Sequence, residues 1–248
     1  MAGADDPGAR VPLRASFTPS ESSQEKPISL DGLVIQPESV ITEQLRKLRN
    51  TLAYTGAGGP IRSVLITSCL PGEGKTTLAI NLSAVMARGL KSPVVLIDAD
   101  LRRKSLTSSL GLRDRCGLAD LLSGKAGVEE ALVRTEIPGL HVLPAGTHSA
   151  DPAELMVPAK TKDLLEQLAR RHQDLFVVLD STPLVSTSES GMLAALVDGV
   201  LLVVRAEKTR RDIVAREFRS IDSRKLLGVV LNGAEFEGSQ YYRKYYDY

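Results

Sequence analysis

A glycine-bearing segment between a strand pattern and a helix pattern contains the residue types that bind phosphate. The apolar run 63–67 leads into Cys69-Leu-Pro-Gly-Glu-Gly-Lys-Thr-Thr77, and a helix pattern over 75–88 follows. Glycines let backbone N–H groups close around an anion, and a helix N-terminus adds donors and a favourable dipole. In such loops a lysine reaches the β- and γ-phosphate oxygens, and a threonine hydroxyl binds Mg²⁺. We therefore predict a nucleotide site formed by Pro71, Gly72, Glu73, Gly74, Lys75, Thr76 and Thr77.

Cys69 departs from the usual pattern, because phosphate loops of this kind begin with glycine. A glycine-rich turn with a chance Gly-Lys-Thr is the competing interpretation, and the strand before and helix after favour the phosphate loop. The thiol itself has two interpretations. A helix N-terminus lowers thiol pKa values, which would suit a redox switch, and a buried structural thiol is the alternative that we favour.

Three aspartates follow apolar strand patterns. Asp98 and Asp100 follow Val-Val-Leu-Ile, and Asp180 follows Phe-Val-Val-Leu. Carboxylates at the carboxyl ends of parallel strands point into the crevice where ligands bind, and residues two apart share a face in extended chain. In phosphate-loop enzymes such an aspartate holds the Mg²⁺ shell. Each aspartate alone could equally cap a helix or a turn, but three of them with Lys75 and Thr76 favour a nucleotide site.

These residues need a scaffold that brings strand ends together, and the apolar pattern predicts one. The strand-like runs are continuous rather than alternating, which is typical of strands buried on both faces of a parallel sheet. Helix patterns lie between them, so we predict an α/β, doubly wound, mostly parallel sheet. The predicted strands cover 63–67, 93–98, 140–144, 175–180, 200–205 and 226–232, and the helices cover 39–54, 75–88, 152–171, 188–197 and 210–223.

Composition excludes several classes of protein. The chain has 248 residues, of which 43% are apolar and 25% charged, as in ordinary globular domains. A net charge of +1 gives no indication of a nucleic-acid partner. Two cysteines cannot form a disulfide framework, and we expect reduced thiols in a cytoplasmic protein. Because neither a signal peptide nor an apolar run of roughly 18 residues is present, we expect recruitment to the membrane through a partner.

The two ends of the chain differ in composition from its middle. Residues 1–37 hold five of the thirteen prolines, and we predict a disordered leader there, followed by one domain over 38–238. The segment 239–248 is a separate tail that contains five of the six tyrosines, namely Tyr241, Tyr242, Tyr245, Tyr246 and Tyr248. A β-prone sticky end and rings packed on the domain are alternatives. The interspersed Arg243, Lys244 and Asp247 favour an exposed tail.

From Ser39 to Tyr248 the chain resembles the bacterial protein-tyrosine kinases of the polysaccharide co-polymerase type, which are built on a phosphate-loop fold. The resemblance rests on the loop 71–76, Asp98-x-Asp100-x-Arg102, the strand ending at Asp180, Glu43-x-x-Arg46-x-x-Arg49 and the tyrosine tail. We expect the chain to depart from the family in two ways, since it shows no fused membrane-spanning adaptor of the kind that many relatives carry and differs in one strand. The aspartate-ended strand usually continues Asp-x-Pro-Pro, and Thr182 stands at the first of these prolines.

The resemblance implies a tyrosine autokinase that uses ATP and Mg²⁺. It implies that Lys75 neutralises phosphoryl charge, that Thr76, Asp100 and Asp180 hold Mg²⁺, and that Asp98 receives the acceptor proton. The acceptor would be a tail tyrosine of a neighbouring subunit, and other protein tyrosines could serve as substrates. A separate membrane adaptor would activate the kinase, which would regulate the synthesis and export of capsule or exopolysaccharide.

The resemblance also implies that Glu43, Arg46 and Arg49 form an oligomer interface, in a homo-oligomer that is a ring. Their spacing of three places them on one side of a helix. The alternative is a solvated ion pair, worth about 0.3–0.5 kcal/mol.

Two other functions fit parts of the sequence. A partitioning or cell-division ATPase has similar strand ends but carries an additional lysine early in the loop, where this chain has Leu70, and lacks the tyrosine tail. A catalytically silent nucleotide-binding regulator of a membrane complex is the second alternative.

Overall fold

The computed structural model describes residues 26–54, 61–90, 92–147, 151–172 and 174–234. Its centre is a seven-stranded sheet in the order β3-β4-β2-β5-β1-β6-β7. Neighbouring strands are parallel, except that β3 runs antiparallel to β4. The strands are β1 (Ser63–Ser68), β2 (Val94–Asp98), β3 (Val133–Arg134), β4 (Leu140–Leu143), β5 (Phe176–Asp180), β6 (Gly199–Arg205) and β7 (Leu226–Asn232). The predicted doubly wound, mostly parallel sheet is confirmed.

Helices cover both faces of this sheet. They are α1 (Val40–Tyr54), α2 (Lys75–Gly89), α3 (Ser105–Ser109), α4 (Leu118–Leu122), α5 (Val128–Ala131), α6 (Pro152–Leu155), α7 (Pro158–Arg171), α8 (Ser188–Leu196) and α9 (Arg211–Phe218). The single helix predicted over 152–171 is two helices. Pro158 lies in the first turn of α7, where its missing N–H costs nothing, and the residue before a proline disfavours the helical conformation. Within the described ranges, no helix is long and apolar enough to cross a bilayer.

The core forms two apolar layers, one on each face of the sheet. Side chains alternate between them, so that Leu65 and Leu179 belong to one layer and Val64, Ile66 and Val178 to the other. Strands β2 and β5 are buried along their whole length. Burial on both faces explains why these strands appear in the sequence as unbroken apolar runs.

The segment 26–37 packs against the domain, so the predicted leader extends too far toward the C-terminus. Leu30 is 1% exposed, and its backbone N–H donates to Glu136 Oε1 at 2.8 Å. Ile28 forms a parallel bridge with Thr135, and the Ile35 N–H donates to Asn81 Oδ1 at 2.7 Å. A few apolar side chains with well-placed acceptors order a segment whose average composition is polar. Residues 1–25 and the predicted tail 239–248 lie outside the described residues.

Candidate active site

The loop between β1 and α2 has the backbone of a phosphate cradle. Gly72 and Gly74 have φ angles of 79° and 97°, a region that favours glycine. A Cβ on Gly74 would also lie 2.1 Å from Asn232 Nδ2, so any other residue there would push the Asn232 side chain aside. Helix α2 begins at Lys75 without a side-chain cap, which leaves its first N–H groups available to an anion.

The Glu73 side chain points into the protein rather than toward the cradle. It is 2% exposed and accepts hydrogen bonds from the Leu70 N–H at 2.7 Å and the Arg205 N–H at 3.1 Å. The Thr209 hydroxyl donates to the same carboxylate, and Asn232 Nδ2 donates to the Glu73 carbonyl at 2.8 Å. The carboxylate therefore fixes the phosphate loop to the end of β6 and to Thr209, and the Glu73 carbonyl fixes it to Asn232 at the end of β7.

Replacing Glu73 with glutamine tests this tether. One amide nitrogen would then face a buried N–H donor, and a buried donor without a partner costs about 1–3 kcal/mol. We expect unfolding in urea to show a loss of this size, and titration with a fluorescent ATP analogue to show about ten-fold weaker binding. Glu154→Gln, at an exposed position, is the matched control. Unchanged nucleotide affinity in the Glu73 variant would refute the tether.

Two of the predicted aspartates lie side by side at the carboxyl ends of neighbouring central strands, next to this loop. Asp98 ends β2 and Asp180 ends β5, and the two residues are in register on adjacent parallel strands. The Ala99 N–H donates to the Asp180 carbonyl at 2.8 Å, which fixes the backbones at this edge. Asp100 follows within the turn, is 3% exposed, and accepts a hydrogen bond from the Arg103 N–H at 2.9 Å.

Asp98 is held by a buried hydrogen-bond network. Its Oδ2 accepts from the Thr107 N–H at 2.8 Å and the Thr107 hydroxyl at 2.6 Å, and its Oδ1 accepts from the Asp100 N–H at 3.2 Å. The Thr107 hydroxyl oxygen in turn accepts from the Ala145 N–H at 2.7 Å. Burial raises the pKa of Asp98 to about 6, although the Thr107 hydrogen bonds oppose this rise.

Asp180 is buried and lacks such a network. Among the described residues, neither of its carboxylate oxygens has a hydrogen-bond partner of good geometry. Burial raises its pKa to about 8, the negative charge of Asp98 adds to the rise, and the nearby Thr76 hydroxyl and Lys75 ammonium oppose it. A cation at its two oxygens would compensate the negative charge of this buried carboxylate.

These residues fit a nucleotide with Mg²⁺. The Thr76 hydroxyl and the carboxylates of Asp100 and Asp180 are the oxygen ligands that Mg²⁺ prefers, and this ion usually takes one or two carboxylates together with phosphate oxygens. The described ranges contain no cluster of three His, Cys, Asp or Glu side chains that would hold a metal by itself. The phosphates would therefore complete the metal site.

The Cys69 thiol is buried at the start of the loop. It is 0% exposed, and burial together with the negative charge of Glu73 raises its pKa to about 12. A thiol that stays protonated reacts poorly with oxidants. The structure therefore favours the structural thiol over the redox switch.

The motif on α1 lies away from this site and makes contacts within the chain. Arg46 Nη1 pairs with Glu43 Oε2 at 3.1 Å, and both side chains are partly exposed. The Arg49 guanidinium lies over Gly89 at the end of α2, where an added Cβ would meet its Nη1 at 1.6 Å. The predicted acceptors, Tyr241 to Tyr248, lie outside the described residues.

Comparison with known proteins identifies the family. The AAA_31 family, described as an AAA domain, matches residues 62–221. The tyrosine-protein kinase YwqD of Bacillus subtilis is 32% identical over 212 residues, which are 85% of this chain and 88% of YwqD. The chain belongs to the bacterial tyrosine-protein kinases. The crystal structure of the chimerical protein CapA2B2 resembles the kinase with a TM-score of 0.74 and 29% identity, covering 81% of the kinase and 88% of that chain.

A further relative is named for the biosynthesis of an exopolysaccharide. The succinoglycan biosynthesis transport protein ExoP of Rhizobium meliloti is 32% identical over 228 residues, which are 86% of the kinase and 29% of ExoP. The predicted resemblance is therefore confirmed, and the enzyme is a protein-tyrosine kinase rather than a partitioning ATPase.

Sequence reasoning missed two residues that shape the site. Thr107 anchors Asp98 from α3, nine residues along the chain, and Thr209 anchors Glu73 across 136 residues. A lone threonine in a polar stretch carries no motif. Neither residue could be found from spacing, because the contact depends on how the strand ends meet.

Proposed function

We propose that the kinase transfers the γ-phosphoryl group of ATP to its own C-terminal tyrosine cluster in trans, and that this transfer regulates the synthesis and export of capsule or exopolysaccharide. The main support is the pairing of Asp98 and Asp180 in register beside the phosphate loop, where neither Asp180 oxygen has a hydrogen-bond donor of good geometry among the described residues. Asp98, which hydrogen bonds anchor, suits proton transfer. Asp180, whose two oxygens lack such a donor within that part of the chain, suits a cation.

The loop and the strand ends have separate roles in this mechanism. The backbone N–H groups of residues 72–77 hold the phosphates, and the Lys75 ammonium neutralises the charge that develops on the γ-phosphoryl oxygens. Thr76, Asp100 and Asp180 would hold the metal, directly or through water. Bound Mg²⁺ would supply positive charge that reduces the repulsion between the phosphates and the incoming hydroxyl. The Glu73 tether keeps the loop in the geometry that these contacts need.

The chemical step exchanges one P–O bond for another. The tyrosine oxygen forms a bond to the γ-phosphorus, the bond from that phosphorus to the β–γ bridging oxygen breaks, and ADP leaves. A tyrosine hydroxyl has a pKa of about 10, so attack near neutral pH needs a proton acceptor. Asp98 Oδ1 accepts only the Asp100 N–H at 3.2 Å among the described donors, which leaves it a lone pair for this proton.

The tail sequence suits a substrate that changes the assembly when modified. Each phosphate adds about −1.5 to −2 charges, so five would add roughly −7.5 to −10. The unmodified chain has a net charge of +1. Repulsion of this size would release phosphorylated tails from neighbouring active sites and loosen a ring of subunits.

The α1 motif is the proposed contact between subunits, and its removal has a measurable result. We expect Arg46→Ala with Arg49→Ala to lower the oligomer mass in gel filtration with light scattering, because the face of α1 that presents these cations would lose its charge. Lys162→Ala with Arg170→Ala, which removes two cations from ion pairs on α7, should leave the mass unchanged. An unaltered mass in the α1 variant would rule out this interface.

A separate membrane adaptor of the polysaccharide co-polymerase type is the proposed activator, and it would recruit the kinase to the inner face of the membrane. Other protein tyrosines are further substrates in this scheme. Nucleic acid is not a partner in it, because the near-neutral chain offers no basic field.

A mixing experiment tests transfer between subunits. One chain carries Lys75→Met and an intact tail, and the other carries a wild-type site with all five tail tyrosines replaced by phenylalanine. Both are incubated with ATP, Mg²⁺ and a cytoplasmic adaptor fragment, and phosphotyrosine is mapped by mass spectrometry. We expect it on the Lys75→Met chain. If the wild-type chain is phosphorylated on its own and this mixture is not, transfer takes place within one subunit.

A further inference from the structure

A polar cavity of about 360 Å³ opens next to the carboxylates of the active site. Asp100 forms part of its wall, and Thr182 and Pro183, which follow β5, form another part. Binding pockets for small molecules have volumes of roughly 300–1,000 Å³, so this cavity has room for one large side chain. Because it shares Asp100 with the proposed metal site, a group inside it would lie close to the γ-phosphoryl group of a bound nucleotide.

The far wall of the cavity is fixed by a network of hydroxyl groups. Thr182 Oγ1 lies 2.6 Å from Thr187 Oγ1 and 2.7 Å from Ser190 Oγ, and the Ser190 hydroxyl donates to the Thr182 carbonyl at 2.6 Å. These bonds hold the connection from β5 to α8 at the position where the family has proline. The wall is therefore preformed, as a binding site requires.

The two arginines of the cavity differ in how their charges are compensated. Arg102 Nη2 pairs with the buried Glu189 at 2.8 Å and approaches Asp151 at 3.7 Å. Arg103 lines the same cavity, and the described residues provide no carboxylate partner for its side chain. Its backbone is fixed, because its N–H donates to Asp100 Oδ1 at 2.9 Å. Of the two arginines, Arg103 is therefore the one whose side chain has no ion pair with a described residue.

We propose that this cavity receives the acceptor tyrosine and that Arg103 binds an acidic residue adjacent to that tyrosine. The inference rests on the proposed function, and it specifies the substrate as a tyrosine with a neighbouring carboxylate. In the tail, Asp247 lies between Tyr246 and Tyr248, whereas Tyr241 and Tyr242 precede Arg243 and Lys244. The kinase therefore phosphorylates Tyr246 and Tyr248 before Tyr241 and Tyr242.

A charge swap between two chains tests this assignment. The enzyme chain has its five tail tyrosines replaced by phenylalanine, with or without Arg103→Glu, and the acceptor chain carries Lys75→Met, with or without Asp247→Lys. Initial rates at each tyrosine are measured by quantitative mass spectrometry with ATP, Mg²⁺ and the adaptor fragment. Arg113→Glu in the enzyme chain makes the same charge change at an exposed position outside the cavity.

We expect either single change to slow phosphorylation of Tyr246 and Tyr248 about ten-fold, and the two together to restore most of the rate, since one ion pair is worth about a factor of ten. Arg113→Glu should leave the order of the tyrosines unchanged. Equal slowing in the swapped pair and in the single variants overturns the Arg103 assignment. If the unmodified enzyme chain phosphorylates no tyrosine, the proposed function itself fails.

Discussion

Replacing Lys75 with methionine is expected to reduce tyrosine phosphorylation by roughly 10²–10³-fold, the loss that follows removal of a single preorganised donor to a transition state. Lys75 is 9% exposed at the first position of α2, and its ammonium is close enough to Asp180 to lower the pKa of that carboxyl. Methionine keeps the unbranched side chain and removes the charge. The measurement is the initial rate of phosphotyrosine formation with ATP, Mg²⁺ and the adaptor fragment.

A control variant and a stability measurement distinguish a loss of catalysis from a loss of folding. Lys162→Met makes the same change on α7, where the side chain is 67% exposed, and should leave the rate unaltered. Thermal unfolding of the Lys75 variant without nucleotide should match the parent protein. A Lys75→Met chain that phosphorylates tyrosine at the parental rate would exclude this residue from the phosphoryl-transfer step.

Replacing Asp180 with asparagine should abolish the response to Mg²⁺ while leaving the metal-free protein about as stable. The amide has the same shape and no charge, and among the described residues the Asp180 carboxyl finds no hydrogen-bond partner of good geometry. Burial raises the pKa of Asp180 to about 8, so the metal-free side chain is mostly uncharged near neutral pH and the neutral amide should cost little folding free energy. The metal, however, loses one of its proposed ligands, so phosphotyrosine formation should fall to background.

Thermal unfolding with ADP and with ADP plus Mg²⁺ measures this effect directly. A ligand at 100 times its dissociation constant stabilises a protein by about 2.7 kcal/mol. We expect Mg²⁺ to raise the melting temperature of the ADP-bound parent and to add little to the Asp180→Asn variant. Asp163→Asn, on the exposed surface of α7, should behave like the parent. Equal Mg²⁺ shifts in the parent and the Asp180 variant would remove Asp180 from the metal site.

The sheet and the positions of Asp98 and Asp180 at its strand ends were predictable because both depend on local patterns. A strand buried on both faces must be apolar throughout, so β1, β2, β5 and β6 stand out as unbroken runs. The polar residue that ends such a run must lie at the end of its strand, where the chain leaves the sheet. Asp98 and Asp180 could therefore be assigned to one crevice before their register was known.

The remaining features depend on contacts between distant parts of the chain. Strand β3 has only two residues, and its pairing with β4 is antiparallel, so no periodicity marks it. The segment 26–37 looks like a leader by composition, yet Glu136 and Asn81 supply the acceptors that order it. Glu73 was predicted to bind the nucleotide, and its burial against the ends of β6 and β7 could not be inferred from a loop motif.

The hydrogen bond from Asn232 to the Glu73 carbonyl has a consequence for protein synthesis, because it joins residues 159 positions apart. A ribosome adds about 5–20 residues per second, so roughly 8–30 s pass between the translation of the phosphate loop and that of its last support. During this interval the loop lacks one of the contacts that shape it. Asn232 is followed nine residues later by Tyr241. A nascent chain therefore forms this contact only at about the time when the tyrosines that we propose as acceptors are made.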